Sequence, residues 1–296
     1  FGFNPEAART NSFMEDDSTL SSSERDTIHT RAHAEFTGFV EALRRAGITV
    51  VVIEDTPEPH KPDALFPNNW ISFHDDGRIV LYPMEPPNRR LERREDIVTE
   101  LSSRFGFTRI EDLSHFELQG IFLEGTGSLV LDRAHKLVYA NRSSRMHTVA
   151  LHEFTRRMGY TAIEFTARRS NGGEIYHTNV MMSVGDGIAV LCTEVIRDSQ
   201  EREAVLASLR CHHAILEITE KQMDNFAGNI LHVHNHNKER YWVMSSRAFH
   251  ALDDAQKRLL ERDSTILHIP LDTIERYGGG SARCMLAEIF TPPTSP

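Results

Sequence analysis

Apolar and polar residues alternate along the chain in short segments that occur in pairs. The first pair, NWISFH and RIVLYPM, is joined by the turn residues DDG. An alternation with a period of two predicts strands, and Asp-Gly turns join antiparallel neighbours. The same pattern predicts three further hairpins: TGSLVL with LVYAN, NVMMSV with IAVLC, and ILHV with RYWVMS. The segment RCMLAEIF near the C-terminus is predicted to be one more strand.

Segments with apolar residues at helical spacing lie between these hairpins. They predict a helix that ends near residue 105 and further helices over about 146–158, 199–210 and 253–262. Four more segments predict additional strands: AGITVVVIED, YTAIEFTA, HAILEIT and STILHIP. Strands that alternate with helices along the whole chain are typical of the α/β class.

A repeat is visible in the polar residues at the start of each unit. Asn69, Glu124, His177, Asn229 and Cys284 follow one another at intervals of 52–55 residues. One supersecondary unit per period of about 50 residues is typical of a radial or stacked repeat. We therefore expect the five positions to meet at a common centre. Without a linker, residues 1–296 are predicted to form one domain, and PPTSP a short disordered tail.

Composition excludes several classes of partner. The net charge is −10 and no long basic run is present, which argues against nucleic-acid binding. No apolar stretch reaches the length of about 20 residues that a transmembrane helix needs, and the N-terminal segment does not resemble a signal peptide. The cysteines are few: Cys192, Cys211 and Cys284. Such a sparse set is typical of a reducing compartment, so we expect a cytoplasmic location, with Cys192 and Cys211 structural.

Three residues of the repeat have side chains suited to covalent catalysis. Cys284 follows three glycines, His177 precedes a predicted strand, and Glu124 lies between an apolar residue and a glycine. Each alone has an ordinary explanation as a buried thiol, a satisfied histidine or a solvated carboxylate. Together they supply a nucleophile, a base and a carboxylate that orients the base, and a nearby imidazolium would favour the thiolate.

The chain resembles the guanidino-group-modifying superfamily. The segments PDALFPNNW, LEGTGSL, NRSSR, YHTNVMM, GNILHV and GGGSARCMLAEIF occur in the order of that family. FGFN and YPMEPPNRR add a similarity to the arginine-deiminase-related hydrolases of citrulline utilisation. The resemblance implies a five-bladed β/α propeller, the pentein fold, with Cys284, His177 and Glu124 catalytic and no cofactor or metal.

The resemblance also implies a set of substrate-binding residues. Asp63 and Phe66 belong to the PDALF motif, and Arg145 follows the Ser-x-Arg pattern of a carboxylate-binding arginine, with Arg142 as its neighbour. A second such arginine corresponds to Arg89 or Arg90, between which the sequence does not decide. Asn229 is expected either to line the site or to cap backbone.

The chain departs from arginine-binding relatives at two positions. Where these have aspartates that clamp a guanidinium, this sequence has Asn69, preceded by Asn68, and Asn179. An amide offers a carbonyl and two N–H donors, which match a neutral ureido group better than a cation. This pattern favours citrulline, with ornithine, ammonia and carbon dioxide as products. Glu124 and Asp63 could instead supply the charge for a guanidinium.

Other functions of the same fold stay open. They are arginine deiminase, dimethylarginine hydrolase and amidinotransferase activity, and a non-catalytic binding protein. The expected partner is a small-molecule amino-acid substrate, citrulline or an arginine-like compound, and homo-oligomerisation is left undecided. Histidines at 232, 234 and 236 alternate and could hold a metal, but a solvated hairpin end is the preferred explanation.

Overall fold

The computed structural model describes residues 1–290, so the predicted tail PPTSP lies outside the described residues. Within residues 1–290 the strands form four three-stranded sheets, each with its strands in chain order. In every sheet the first two strands are antiparallel and the third is parallel to the second. The strands are β1 (Ile71–Phe73), β2 (Arg78–Leu81), β3 (Arg109–Asp112), β4 (Leu129–Asp132), β5 (Leu137–Asn141), β6 (Thr161–Phe165), β7 (Met182–Val184), β8 (Ile188–Leu191), β9 (Ala214–Glu217), β10 (Leu231–His234), β11 (Arg240–Ser245) and β12 (Thr265–Ile269).

The helices of the described chain connect the second and third strands of the sheets or flank them. Several begin at side-chain caps, which satisfy the first free N–H groups of a helix. Ser21 and Glu24 form a capping box, and Asp198 accepts from the N–H groups of Gln200 and Glu201. The helices are α1 (Ser22–Arg45), α2 (Glu95–Phe105), α3 (Gly125–Ser128), α4 (Thr148–Met158), α5 (Ser199–Arg210), α6 (Glu220–Met223), α7 (Ser246–Ala251), α8 (Asp254–Leu260) and α9 (Asp272–Gly278).

The predicted elements agree with the structure in the four hairpins and their following helices. Three of the four additional strand segments are β6, β9 and β12. The predicted strands TGSLVL and NVMMSV are shorter than expected, because each begins with a single helical turn, α3 or the 3-10 turn Thr178–Val180. These turns follow Glu124 and His177 directly.

The fifth unit differs from its prediction. Neither AGITVVVIED nor RCMLAEIF contains an assigned strand in the described chain, and Cys284 lies in a tight turn. The carbonyl of Ser281 accepts from the N–H groups of Cys284 and Met285, which closes this turn in place of strand pairing. The two segments still share a hydrophobic cluster in which Val51 and Ile53 accompany Ala287 and Ile289.

The first strands of successive sheets bring the starts of the units together. Strand β4 contacts β7, β7 contacts β10, and α3 contacts β1. Because the polar residues of the repeat precede these strands, their side chains converge although their positions in the sequence are far apart. No helix within residues 1–290 combines the length and the apolar character needed to cross a bilayer.

Candidate active site

His177 and Glu124 form a buried hydrogen-bonded pair. Nε2 of His177 lies 2.8 Å from Oε2 of Glu124. Since an ionised carboxylate only accepts, Nε2 carries the hydrogen and Nδ1 holds a lone pair. Nδ1 lies beside Gly127, where a Cβ atom would come within 2.8 Å of it. A glycine is therefore required at 127 to leave room for the imidazole.

Burial and neighbouring charges set the protonation of this pair. Burial raises the pKa of Glu124, but the charge of Arg145 and the hydrogen bond from His177 outweigh it, and the net pKa is lowered. For His177 burial dominates and lowers the pKa to about 4, although Glu124 opposes this shift. At neutral pH the site therefore contains an anionic carboxylate and a neutral imidazole. We expected an imidazolium near Cys284 that would favour the thiolate. The structure does not support a permanently protonated His177, because full burial disfavours the charged ring.

The sulfur of Cys284 contacts two amide side chains. Nδ2 of Asn229 lies 3.2 Å from Sγ, and Nδ2 of Asn179 lies 3.7 Å from it. Nδ2 of Asn229 also donates to the carbonyl of Asn179 at 3.1 Å. Two N–H donors directed at sulfur are suited to stabilise a thiolate, because hydrogen bonding to a charged form favours that form.

A narrow cavity has both Cys284 and His177 in its wall. The glycine-rich segment before Cys284 forms one side of it, and Phe66 packs against that segment, since a Cβ on Gly280 would lie 2.8 Å from the Phe66 ring. The thiol and the imidazole are thus exposed to the same space. The remaining lining residues are Ala7, Asn11, Asp63, Phe66, Asn69, Arg89, Arg145, Tyr176 and Gly278 to Gly280.

The amides that replace the expected aspartates are held in defined orientations. Oδ1 of Asn69 accepts from Nη1 of Arg89 at 2.8 Å, so its Nδ2 points away from the arginine and has no partner among residues 1–290. Asn179 directs Nδ2 to Cys284, and its Oδ1 is likewise unpartnered in the described chain. Asn68 is fully buried outside the cavity wall, where its carbonyl accepts from Thr126.

Asp63 and Arg89 form a second charged group in the cavity wall. Arg89 makes a bidentate pair with Glu92 at 2.8 and 2.9 Å, and its Nε lies 3.6 Å from Asp63. One oxygen of Asp63 accepts from Asn4, and the other has no partner within the described residues. Burial raises the pKa of Asp63 despite the neighbouring Arg89. Arg89 is thus already engaged by protein acceptors.

The structure separates the arginine candidates. Arg145 is buried and donates to Glu124 at 3.2 Å, to the carbonyl of Ala7 at 2.7 Å and to Thr10 at 2.8 Å. Arg142 is half-exposed and pairs with Glu164 and Glu201, outside the cavity. Arg90 also lies outside, bonded to the carbonyls of Met84 and Glu85. The proposed substrate contacts of Arg142 and Arg90 are therefore corrected, because their guanidinium groups are held elsewhere.

Comparison with known proteins identifies the family. The sequence matches the family model described as N,N dimethylarginine dimethylhydrolase, eukaryotic, over residues 1–291. The chain belongs to this family. No curated protein sequence gives a significant match. Membership in the N,N dimethylarginine dimethylhydrolase family confirms the expected guanidino-group-modifying hydrolase class.

Solved structures agree with this family member in fold. The apo structure of ArgZ, an arginine dihydrolase from cyanobacteria, superposes with a TM-score of 0.72 at 18% identity and covers 97% of this chain. The chain spans 39% of the length of that protein. The N-terminal domain of ArgZ with a covalently bound reaction intermediate gives a TM-score of 0.72 at 19% identity, covering 97% of this chain and 93% of that one. A dimethylarginine dimethylaminohydrolase adduct gives 0.62 at 13% identity, covering 86% and 90%.

The sequence pattern did not predict two residues of the cavity wall, Asn11 and Tyr176. Asn11 and Tyr176 both donate to the carbonyl of Gly279, which ties the N-terminal segment and the His177 segment to the glycine turn. Tyr176 also lies under the guanidinium of Arg145, 4.8 Å from the ring centre. Tyr176 could have been predicted because it directly precedes His177 in the sequence, whereas no sequence pattern indicates Asn11.

The remaining candidate clusters lie away from the cavity. His232, His234 and His236 bond separately to Ser264, to the carbonyl of Asn235 and to the carbonyl of Gly47. The predicted alternative of a metal site there is not supported by these contacts. Cys192 is buried at the end of β8, and burial raises the pKa of its thiol to about 12. Cys211 is exposed at the end of α5, so it is not a core residue.

Proposed function

We propose that this chain is a cysteine-dependent hydrolase that cleaves citrulline to ornithine, ammonia and carbon dioxide. The observation that carries the proposal is that Cys284 and His177 line one cavity while Glu124 orients His177 from behind. The family is one of guanidino hydrolases, which supports C–N bond cleavage. No step of the proposed reaction requires a cofactor.

The roles are inferred from the tautomer of His177 and from the cavity that Cys284 and His177 share. The sulfur of Cys284 attacks the ureido carbon while its proton passes to Nδ1 of His177, the nitrogen not held by Glu124. His177 then protonates the departing nitrogen, which releases ornithine and leaves an S-carbamoyl cysteine. Water adds to this intermediate with His177 as base, the C–S bond breaks and the thiol is restored. The carbamate released decomposes to carbon dioxide and ammonia.

The lowered pKa of His177 suits this order of events. A neutral imidazole can accept the thiol proton only as the attack takes place, and Glu124 stabilises the imidazolium that forms. Asn179 and Asn229 donate toward sulfur and would stabilise the negative charge that develops on it as the proton leaves. In this site two neutral N–H donors would stabilise the charge on sulfur, which a protonated histidine does in other cysteine enzymes.

Asn69 supports a ureido substrate. Arg89 has donors only, so it holds Oδ1 of Asn69 and turns Nδ2 to the opposite side, next to Gly127 and His177. An N–H donor at this place matches the carbonyl oxygen of a ureido group. A guanidinium presents only N–H groups and would face this donor without an acceptor.

Arginine or a methylated arginine is the second candidate substrate. The unpartnered oxygen of Asp63 in the cavity wall is an acceptor suited to a guanidinium. The family model is named for dimethylarginine hydrolysis and ArgZ is named an arginine dihydrolase, which supports the same alternative. Arg145 balances Glu124, whereas Arg89 is shared between Asp63 and Glu92, so one carboxylate of this group lacks an arginine of its own.

The proposal includes the arrangement of the whole chain as one five-bladed propeller domain. Four sheets and a fifth unit, in which Val51 and Ile53 pack with Ala287 and Ile289, support it. The site would then lie on the central axis, with one polar residue from each unit.

A substrate panel tests the function. Purified protein is mixed separately with citrulline, arginine, dimethylarginine and agmatine, and ornithine, citrulline, methylamines and ammonia are measured. We expect ornithine and ammonia in equal amounts from citrulline, and no product with Cys284→Ala. Turnover of arginine or dimethylarginine without citrulline turnover would refute the ureido assignment. Turnover by Cys284→Ala would refute the nucleophile.

A further inference from the structure

A second cluster of ligating side chains lies at the far end of β4, away from the cavity. Asp132 is the last residue of β4, and His135 lies in the turn that leads to β5. His213 comes from the next unit, directly before β9 and 81 positions after Asp132 in the chain. The cluster therefore joins the hairpin of the second sheet to the third sheet.

The two imidazoles are directed at one carboxylate. Nδ1 of His135 lies 2.9 Å from both oxygens of Asp132, and Nε2 of His213 lies 2.7 Å from Oδ2. One ligand atom from each of the three residues lies within 4.8 Å of the other two. Ligands of a tetrahedral zinc ion, bonded at about 2.0–2.2 Å, stand about 3.3–3.5 Å apart, so small shifts of the rings would enclose an ion.

Burial distinguishes this cluster from a chance surface contact. The side chains of Asp132 and His213 are only 3% and 4% exposed, whereas His135 is 35% exposed. The ring of His212 stacks on His135 with 3.6 Å between centroids, which restricts the orientation of His135. Burial raises the pKa of Asp132, but the hydrogen bonds from His213 and His135 lower it overall, so the carboxylate stays ionised.

We propose that Asp132, His135 and His213 bind one zinc-class divalent transition-metal ion at a site separate from the catalytic cavity. One carboxylate oxygen and two imidazole nitrogens are ligands that Zn²⁺ accepts, whereas Mg²⁺ and Ca²⁺ require mostly oxygen. The ion would take the place of the two hydrogens now shared between the rings and the carboxylate, and these hydrogens would move to Nε2 of His135 and Nδ1 of His213. Partial exposure of His135 leaves the fourth position to water.

The ion would add a link between two sheets that already meet through side-chain packing and hydrogen bonds. Beside the cluster, Tyr139 of β5 bonds to Ser208 of α5 across the same junction at 2.9 Å. A ligand that binds only the folded state raises the unfolding temperature. We expect saturating Zn²⁺ to raise the melting temperature by roughly 5 °C for a chain of this size.

Zinc titration of the full chain tests the site. The Cys284→Ser protein serves as background, because the active-site thiolate would itself bind Zn²⁺. In this background we compare His135→Gln and Asp132→Asn with the control His152→Gln. His152 also bonds to a carboxylate, Glu164 at 3.1 Å, but lies outside the cluster. Stoichiometry is measured calorimetrically, ligand type by the absorption spectrum of Co²⁺, and folding by circular dichroism.

The expected result is one equivalent of bound Zn²⁺ in the background and control, lost in both cluster variants while their folding persists. The Co²⁺ spectrum should show tetrahedral bands without a thiolate charge-transfer band. Equal zinc stoichiometry in the background and His135→Gln would overturn the proposal, as would a thiolate band, which would assign the ion to Cys211 or Cys192. If Asp132→Asn does not fold, His135→Gln alone decides the test. The His135 side chain lies in a partly exposed turn, so its replacement should not unfold the protein.

Discussion

The sulfur of Cys284 lies 3.2 Å from Nδ2 of Asn229, although 55 residues separate them in the chain. The same amide nitrogen donates to the carbonyl of Asn179, so its position is fixed from two sides. Asn229 is the fourth-unit equivalent of Cys284, the proposed nucleophile, and its side chain touches the sulfur atom. Oδ1 of Asn229 also lies 3.5 Å from the sulfur, so a purely backbone-capping role accounts for only one of the three side-chain contacts of Asn229.

Asn229→Ala should slow both turnover and alkylation of Cys284. Loss of a hydrogen bond to a charged group costs about 1.5–3 kcal/mol, which corresponds to a decrease of roughly 10- to 100-fold. Alkylation by iodoacetamide at pH 7 and kcat for citrulline measure the two effects. Asn225→Ala, which removes an exposed amide bonded to the carbonyl of Lys221, is the matched control and should change neither. An unchanged alkylation rate in Asn229→Ala would contradict a role at the thiolate.

The loss of activity at low pH should reflect protonation of His177. Its pKa is lowered to about 4 from an ordinary value of 6.5, and the neutral ring is the proposed base. The ratio kcat/KM should therefore hold from neutral pH down to about 5 and fall tenfold per unit below about 4. Because the folded pKa is below the unfolded one, protonation also favours unfolding, and stability declines as pH falls below 6.5. Circular dichroism at each pH confirms that the protein is folded. A fall in kcat/KM that begins near pH 6.5 would contradict the lowered pKa of His177.

Asn69→Asp should shift the substrate preference toward arginine. The carboxylate keeps its contact with Arg89 and replaces the inward N–H donor by an anionic acceptor, which suits a guanidinium. We expect the kcat/KM ratio of arginine to citrulline to rise by about 10-fold or more, equivalent to about 1.4 kcal/mol. Competition between the two substrates measures this ratio directly, with Asn225→Asp as control. A constant or lower ratio would count against the ureido interpretation of Asn69.

Arg145 and Arg142 should differ sharply in their effect on stability. Arg145→Met leaves the fully buried Glu124 without its arginine partner, and breaking a buried ion pair costs about 3–5 kcal/mol. Arg142→Met removes half-exposed ion pairs that contribute less than about 1 kcal/mol. Urea denaturation gives both free energies of unfolding. Equal losses would show that the buried network around Glu124 does not depend on Arg145.

The periodicity of the chain was sufficient to predict most local elements. Alternating apolar residues marked the four hairpins, and helical spacing placed α5 at its observed residues, because these patterns reflect which face of an element is buried. The segment RCMLAEIF has the same alternation but no assigned strand. Its glycine-rich approach and the turn at Ser281 override the local pattern, which a periodicity argument does not detect.

By itself the sequence determined which residues have side chains suited to catalysis and how regularly they are spaced, from which convergence of Cys284, His177 and Glu124 could be inferred. Only the tertiary structure decided which arginine is buried beside Glu124, which way Asn69 points, and that Asp132 meets His213. These features depend on burial and on contacts between residues far apart in the chain. The same contacts set the charge of His177, since desolvation is a property of the folded environment and not of the residue type.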